Sequence, residues 1–195
     1  MTLFCATSNP GKRREFQLAG AAFGIEVLTI PQLNEMGVAP ETGETFEANA
    51  AEKALYYAAR TGGYVFVDDS GLEVDALGGE PGVYSARYAG EGATDAMNNA
   101  LLLERLQGVR KRAARFVCVI ALARGERITG LFRGEVQGAI VEAPRGAQGF
   151  GYDPLFYYPG FDCTFGEVDA ERKMTVSHRG RALEQLFRFA VTLPD

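Results

Sequence analysis

The apolar and polar positions of the chain fall into short segments of two kinds. Residues 3–6 form a brief apolar run that stops at Thr7-Ser8-Asn9-Pro10-Gly11, and Phe16, Leu18, Ala22 and Phe23 behind it recur on one side of a helix. Residues 25–30 read as a second strand, whereas 31–43 hold turn residues with little periodicity. Thr45 is placed to cap a second helix that runs through Phe46, Asn49, Ala50, Lys53, Ala54 and Tyr57. Tyr64-Val65-Phe66-Val67 is continuously apolar, as a fully buried strand would be, and is predicted to end at Asp68-Asp69-Ser70-Gly71. A glycine-dense stretch follows, then Thr94-Asp95 as the start of a helix reaching Gly108. Residues 115–123 and 128–136 pattern as the two strands of a hairpin turning at Arg124-Gly125-Glu126. Residues 149–154 are predicted as a loop, and 181–193 as a closing amphipathic helix. Helices alternating with a parallel-type buried strand, then a hairpin, predict an α/β fold with a mixed sheet.

Composition narrows this further. At 195 residues, 47% of them hydrophobic and 23% charged, the chain is expected to be one globular domain spanning 1–195, and disorder is excluded. The formal charge of -5 argues against a general electrostatic grip on nucleic acid or on an anionic membrane, so an anionic ligand needs a local positive pocket. The run Arg110-Lys111-Arg112 with Arg115 has only Phe116 interleaved and reads as solvated surface. Cys5, Cys118 and Cys163 are far apart and never spaced as a metal or redox pair, which fits a reducing cytosol. The N-terminus lacks a basic lead followed by a long apolar run, and no stretch reaches the ~18 apolar residues of a membrane span, so a soluble cytoplasmic protein is expected.

Three places could carry chemistry. Asn9 suits an N-cap and Pro10 the first helical position, yet Lys12, Arg13 and Arg14 crowd the positive end of that helix, an arrangement that an anion would offset. Free amides and a lysine after a strand make a phosphate site, although solvated surface charge accounts for these cations equally well. It is not a Walker A loop, because Ala6 and Arg13 stand where the leading glycine and the hydroxyl residue belong, which argues against a nucleotide kinase. Ser177-His178-Arg179-Gly180-Arg181 repeats the cationic helix start, with Lys173 four residues upstream, and a single histidine rules out a multi-histidine metal centre. Asp68-Asp69 ends the buried strand, where open α/β sheets place ligands, with alternate residues facing opposite ways. A capping or turn role would explain these two acids as well. Glu41, Glu44 and Glu47 add carboxylates that, near phosphate, suit a hard divalent cation such as Mg²⁺, and Lys53 shares a helix face with Asn49.

Taken together, Thr7 to Lys12, Glu41-Thr42-Gly43, Asn49-Ala50 with Lys53-Ala54, Asp68 to Leu72, Gly78 to Tyr88, Phe150-Gly151-Tyr152-Asp153-Pro154 and Ser177 to Gly180 closely resemble the inosine/xanthosine triphosphate pyrophosphatase family. The order and spacing of these motifs match over nearly the whole chain. The resemblance implies an elongated mixed sheet with flanking helices and two lobes around a central cleft. It also implies a Mg²⁺-dependent enzyme, usually a homodimer, that hydrolyses ITP, dITP and XTP to the monophosphate and pyrophosphate, clearing them from the nucleotide pool. Carried over residue by residue, Thr7, Ser8, Asn9, Pro10, Gly11, Lys12 and Lys53 would hold the phosphates, and Asp69 would bind the metal and activate water. Ser70 would touch the substrate, while Phe150, Gly151, Tyr152, Asp153, Lys173, His178 and Arg179 would enclose base and nucleotide. Many relatives carry a second acid where this chain has Pro40, which leaves Glu41 and Glu44 as alternatives for completing the metal site. Ser8 replaces a glycine or histidine of many relatives, and Tyr152 a tryptophan of some.

Overall fold

The computed structural model describes residues 1–194. Its strands are Thr2–Cys5 (β1), Glu26–Thr29 (β2), Tyr64–Val74 (β3), Ala113–Arg124 (β4), Arg127–Ile140 (β5), Phe156–Tyr158 (β6) and Cys163–Thr164 (β7). They form one mixed sheet in the order β2-β1-β3-β4-β5-β6-β7. β1 is parallel to both of its neighbours, with Leu3 opposite Val27 and Cys5 opposite Phe66, whereas β6 is antiparallel to β5 and β7. The α-helices are Pro10–Ala21 (α1), Phe46–Ala58 (α2), Asp95–Arg105 (α3), Ala170–Met174 (α4) and His178–Ala190 (α5). No helix among the described residues is long and apolar enough to cross a membrane.

Cap chemistry starts the first three helices where the sequence places them. The side chains of Asn9, Thr45 and Thr94 accept the backbone N–H groups of Lys12, Ala48 and Met97 at 3.0, 3.1 and 3.3 Å, each satisfying an otherwise orphaned donor of a first turn. Two expectations require correction. β3 does not end at Asp68; it runs through Asp68-Asp69-Ser70-Gly71 to Val74, with Leu72 and Val74 fully buried. Charge stops a buried strand only where it cannot be paired, and both aspartates are paired. The last helix runs from His178 to Ala190 rather than over 181–193; it starts where the cationic segment after Ser177 predicts, with His178 and Arg179 buried in its first turn. β6, β7 and α4 are too short to leave a period in the sequence.

The chain divides into two compact units. In the first, Met1–Asp69 and Cys118–Gly134 with the C-terminal segment from His178, the core gathers Leu3, Phe16, Val27, Phe66, Leu183 and Phe187. Phe66 meets Phe16 edge-on at 5.1 Å between centroids, and Phe187 at 6.3 Å. In the second unit, Ser70–Val117 and Glu135–Ser177, the core is Leu72, Leu102, Leu106, Phe116, Ile140, Phe156 and Phe165.

One glycine lets α5 approach β5. A Cβ on Gly134 would overlap the carbonyl oxygen of His178 and stand 2.7 Å from the Ala182 nitrogen, so the obstacle is helix backbone and cannot swing aside. Gly134→Ala is therefore expected to destabilise the protein by about 1–3 kcal/mol or more in chemical denaturation. Gly62→Ala, where a Cβ meets nothing within 4 Å, is expected to stay within about 0.5 kcal/mol of the parent.

Candidate active site

The first turn of α1 and the segment before it form one wall of a cavity of about 360 Å³, lined among others by Thr7, Ser8, Lys12, Glu41, Lys53 and Asp68. Thr7 Oγ1 accepts the Asn9 N–H at 3.2 Å and Asn9 Oδ1 accepts the Lys12 N–H, which fixes the bend that brings the chain from β1 into the helix. Arg13 and Arg14 are exposed, Arg13 also lining a second cavity with Thr7 and Ser8, whereas Lys12 reaches a buried acid. Its ammonium sits 3.0 Å from Asp68.

α2 supplies the opposite charge arrangement. Its Ala50, Ala54 and Ala58 bury one face, and Asn49 on the same side uses its Oδ1 to accept the Gly43 N–H at 2.8 Å. Glu52 accepts the Thr42 N–H at 2.9 Å, so the segment carrying Glu41 is strapped along the helix. A side chain on Gly43 would strike Ala48 Cβ at 2.6 Å, which is why glycine stands there. The result is Lys53 Nζ held between Glu41 Oε1 at 2.8 Å and Asp69 Oδ1 at 2.7 Å. Burial works against the charge on Lys53, but Asp69 and Glu41 outweigh it and raise its pKa.

The two acids of β3 have different surroundings because alternate strand residues face opposite ways. Asp68 is buried against Lys12 and the guanidinium of Arg179, whose Nη2 is 3.3 Å away, and Arg179 also reaches Glu15 Oε2 at 2.7 Å. Burial alone would raise the Asp68 pKa; Lys12 and Arg179 prevail and hold it well below the usual carboxylate range. Asp69 goes the other way: burial pushes its carboxyl up, with Lys53 opposing. Its Oδ2 is buried without a hydrogen-bond partner among the described residues. A lone pair so withheld from water is costly unless a ligand takes it up.

In this cluster Lys12, Lys53 and Arg179 stand among Glu15, Glu41, Asp68 and Asp69. The hard carboxylate oxygens of Asp69 and Glu41, with the Asp69 Oδ2 uncommitted, would suit a divalent cation such as Mg²⁺, which takes oxygen donors and shares them with phosphate. No group of three or more His, Cys, Asp or Glu side chains is assembled for a metal among the described residues.

A second charged cluster belongs to the second unit. Lys173, on α4, and Asp153 are both buried and meet at 2.6 Å, and the Lys173 ammonium lies 4.7 Å from the centre of the Phe150 ring. Asp153 Oδ2 also accepts the Phe150 N–H at 2.9 Å, and Tyr152 donates its hydroxyl to the Ser85 carbonyl at 2.8 Å. A buried ion pair thus lies beside a half-buried aromatic ring, a combination whose chemistry could stack a planar group next to a charged donor.

Comparison with known proteins shows the family. Residues 3–189 match the Ham1 family. This chain belongs to that family. It is 50% identical to the dITP/XTP pyrophosphatase of Listeria monocytogenes over 186 residues, 94% of this chain and 92% of the relative. The Ham1 protein of Staphylococcus aureus has the same fold, with a TM-score of 0.87 at 41% identity over 98% of this chain and 99% of that one. The nucleoside-triphosphatase / dITP/XTP pyrophosphatase of Mycobacterium abscessus aligns with a TM-score of 0.73 at 41% identity, covering 95% and 98%.

Among the residues singled out from the sequence of this Ham1 family member, the first unit assembles Thr7, Ser8, Asn9, Lys12, Glu41, Lys53, Asp69 and Arg179, with Pro10 and Gly11 opening α1 and His178 opening α5. Phe150, Gly151, Tyr152, Asp153 and Lys173 are together in the second unit, and Ser70 is the next residue after Asp69 on β3. Glu44 is exposed and Glu47 pairs with Arg133 at 2.5 Å, whereas Glu41 faces the same lysine as Asp69. The basic run is only partly solvated: Arg110 and Lys111 are exposed, but Arg112 donates to the carbonyls of Leu106, Val109 and Val141, and Arg115 pairs with Glu73 at 2.6 Å. The sequence places Glu15 in the first helix without a role for it; an acid on a helix face otherwise occupied by Phe16 and Gly20 is its one trace there.

Removing one member of the buried Glu15, Arg179, Asp68 group strands its partners. Glu15→Ala is expected to lower the unfolding free energy by about 3–5 kcal/mol in a urea titration, far more than Glu184→Ala, which breaks only an exposed pair with Arg188.

Proposed function

We propose that this chain is a nucleoside-triphosphate pyrophosphatase that hydrolyses the non-canonical purine nucleotides ITP, dITP and XTP to the monophosphate and pyrophosphate. We infer further that it works with Mg²⁺, as a cytoplasmic homodimer forming a single catalytic domain, as the family resemblance implies. The observation that carries the reading is Lys53 bridging Asp69 and Glu41, with the unpartnered Asp69 Oδ2 beside it and Lys12 in the same cavity. Membership of the Ham1 family and the dITP/XTP pyrophosphatases among its relatives support it.

The residues divide the work as follows. Thr7, Ser8, Asn9 and Gly11, at the positive end of α1, present donors to the phosphates, with Pro10 fixing the turn and Lys12 adding charge. Lys53 neutralises the departing pyrophosphate. Asp69 and Glu41 would hold a divalent cation, which when bound would add positive charge at the triphosphate and acidify water. Asp69 accepts the proton of the water that attacks the α-phosphorus; the new O–P bond forms as the bridging bond to the β-phosphate breaks and pyrophosphate leaves. Arg179 and Asp68 hold Lys12 and α1 in position. Ser70 contacts the substrate, Phe150 stacks on the base, and Gly151, Tyr152, Asp153, Lys173 and His178 complete its surroundings. A buried donor that satisfies a 6-oxo group is left unpaired by a 6-amino group, at a cost of about 1–3 kcal/mol.

Incubation with Mg²⁺ and each nucleotide, scored by pyrophosphate release, is expected to give rapid turnover of ITP and XTP and slow turnover of ATP; equal rates would defeat the base-selection part. Asp69→Asn is expected to abolish turnover while leaving nucleotide affinity within about tenfold, since the phosphate donors remain. In a Mg²⁺ titration Glu41→Gln is expected to raise the concentration needed for half-maximal rate, and Glu44→Gln to leave it unchanged. A reversed order would give the second carboxylate to Glu44.

A further inference from the structure

The loop of residues 149–153 is gripped from two directions. From within, Asp153 Oδ2 accepts the Phe150 N–H at 2.9 Å and the Lys173 ammonium at 2.6 Å. From α3, Asp95 Oδ2 accepts the Gly151 N–H at 2.6 Å, and Asn99 Nδ2 donates to the Gly151 carbonyl at 3.0 Å. Both polar backbone groups of one residue are thus taken by two side chains four positions apart on the same helix face. The residue between Phe150 and Tyr152 has φ +61°, a left-handed conformation open to glycine, and a Cβ there would meet nothing within 4 Å. Glycine is required at this point by backbone conformation, and the conformation is what the two side chains hold.

Asp95 has an ordinary reason to stand in the first turn of a helix, where an acid complements the dipole. Asn99 has none. Asparagine is a mediocre helix former, and Asn99 Oδ1 is buried with no hydrogen bond among the described residues, so its bond to Gly151 is the one return for a costly residue.

We propose that Asp95 and Asn99 are positioning residues that clamp Gly151, set the plane of the Phe150 ring and thereby enforce the choice of a 6-oxo purine. The inference rests on the assignment of this loop to the base. With both peptide bonds of Gly151 pinned, the ring and the donors beside it keep one spacing, and a base with the wrong hydrogen-bonding edge finds no compensating shift. With them released, stacking survives and edge recognition does not.

The test compares kcat and KM for ITP and ATP in the full-length protein with those of Asp95→Ala/Asn99→Ala. The clamp predicts a KM for ITP raised about tenfold, kcat within about twofold, and the ITP-to-ATP ratio of kcat/KM lowered about tenfold, as two lost hydrogen bonds would give. Asp95→Asn, which retains an oxygen for the Gly151 N–H, is expected to keep the ratio within about twofold of the parent. Thr94→Ala removes the cap of the same helix and is expected to lower the melting temperature without moving the ratio. Should the double variant fail to fold, Asp95→Ala and Asn99→Ala singly, each expected to lower the ratio about threefold, decide the matter. A parent enzyme that favours ITP and a double variant with an unchanged ratio would overturn the clamp alone, as would a Thr94→Ala effect of equal size. A parent that turns over ATP as fast as ITP would overturn the assignment of the loop to the base, and the clamp with it.

Discussion

Two adjacent carboxylates buried within a strand are the constraint around which the first unit is organised. Asp68 and Asp69 cannot remain charged inside a sheet without cations, and the alternation of a strand sends them to different ones. Asp68 draws Lys12 from α1 and Arg179 from α5, and Arg179 returns to α1 through Glu15. Asp69 draws Lys53 from α2, which in turn fixes Glu41. Three helices and a loop are therefore indexed to one dipeptide. The same pairing separates the two acids chemically: one is kept firmly ionised by its neighbours, the other is pushed up by burial and holds an uncommitted oxygen.

The second unit repeats a buried lysine–aspartate pair for another purpose. Lys173 and Asp153 bond each other while Asp153 also holds the backbone at Phe150, so charge here shapes a loop more than it waits for phosphate. The close contacts at Gly149, where a Cβ would overlap the Asp153 carboxylate, confirm how tightly the chain is wound around that side chain. The hydrogen bonds to Phe150 and Gly151 thus fix the backbone of a loop whose glycine-rich sequence by itself suggests mobility.

Much of this was legible from the residues because caps and periods are local. Asn9, Thr45 and Thr94 mark their helices without reference to the rest of the fold, and Tyr64-Val65-Phe66-Val67 announces burial by its content. Charge misleads at two places: the aspartates predict an end to β3 and the basic run predicts solvent for Arg112, yet Asp68 and Arg112 are each satisfied by a partner distant in sequence. Glu15 and Arg179 are 164 positions apart, and nothing local signals such a bond. The grouping of the motifs into a site came from family resemblance, while the clamp on Gly151 became visible only with coordinates, because Asp95 and Asn99 read as any amphipathic helix would.

Arg112 illustrates what such hidden partners imply for anyone altering the surface. Its guanidinium fans out to three carbonyl oxygens, tying the end of α3 to Val141 just past β5, and a planar fork is needed to reach all three at once. Charge-swapping campaigns that treat residues 110–112 as one interchangeable basic tract would find two tolerant neighbours and one staple. Even lysine, which preserves the formal charge, would leave backbone acceptors without donors and loosen the seam between helix and sheet.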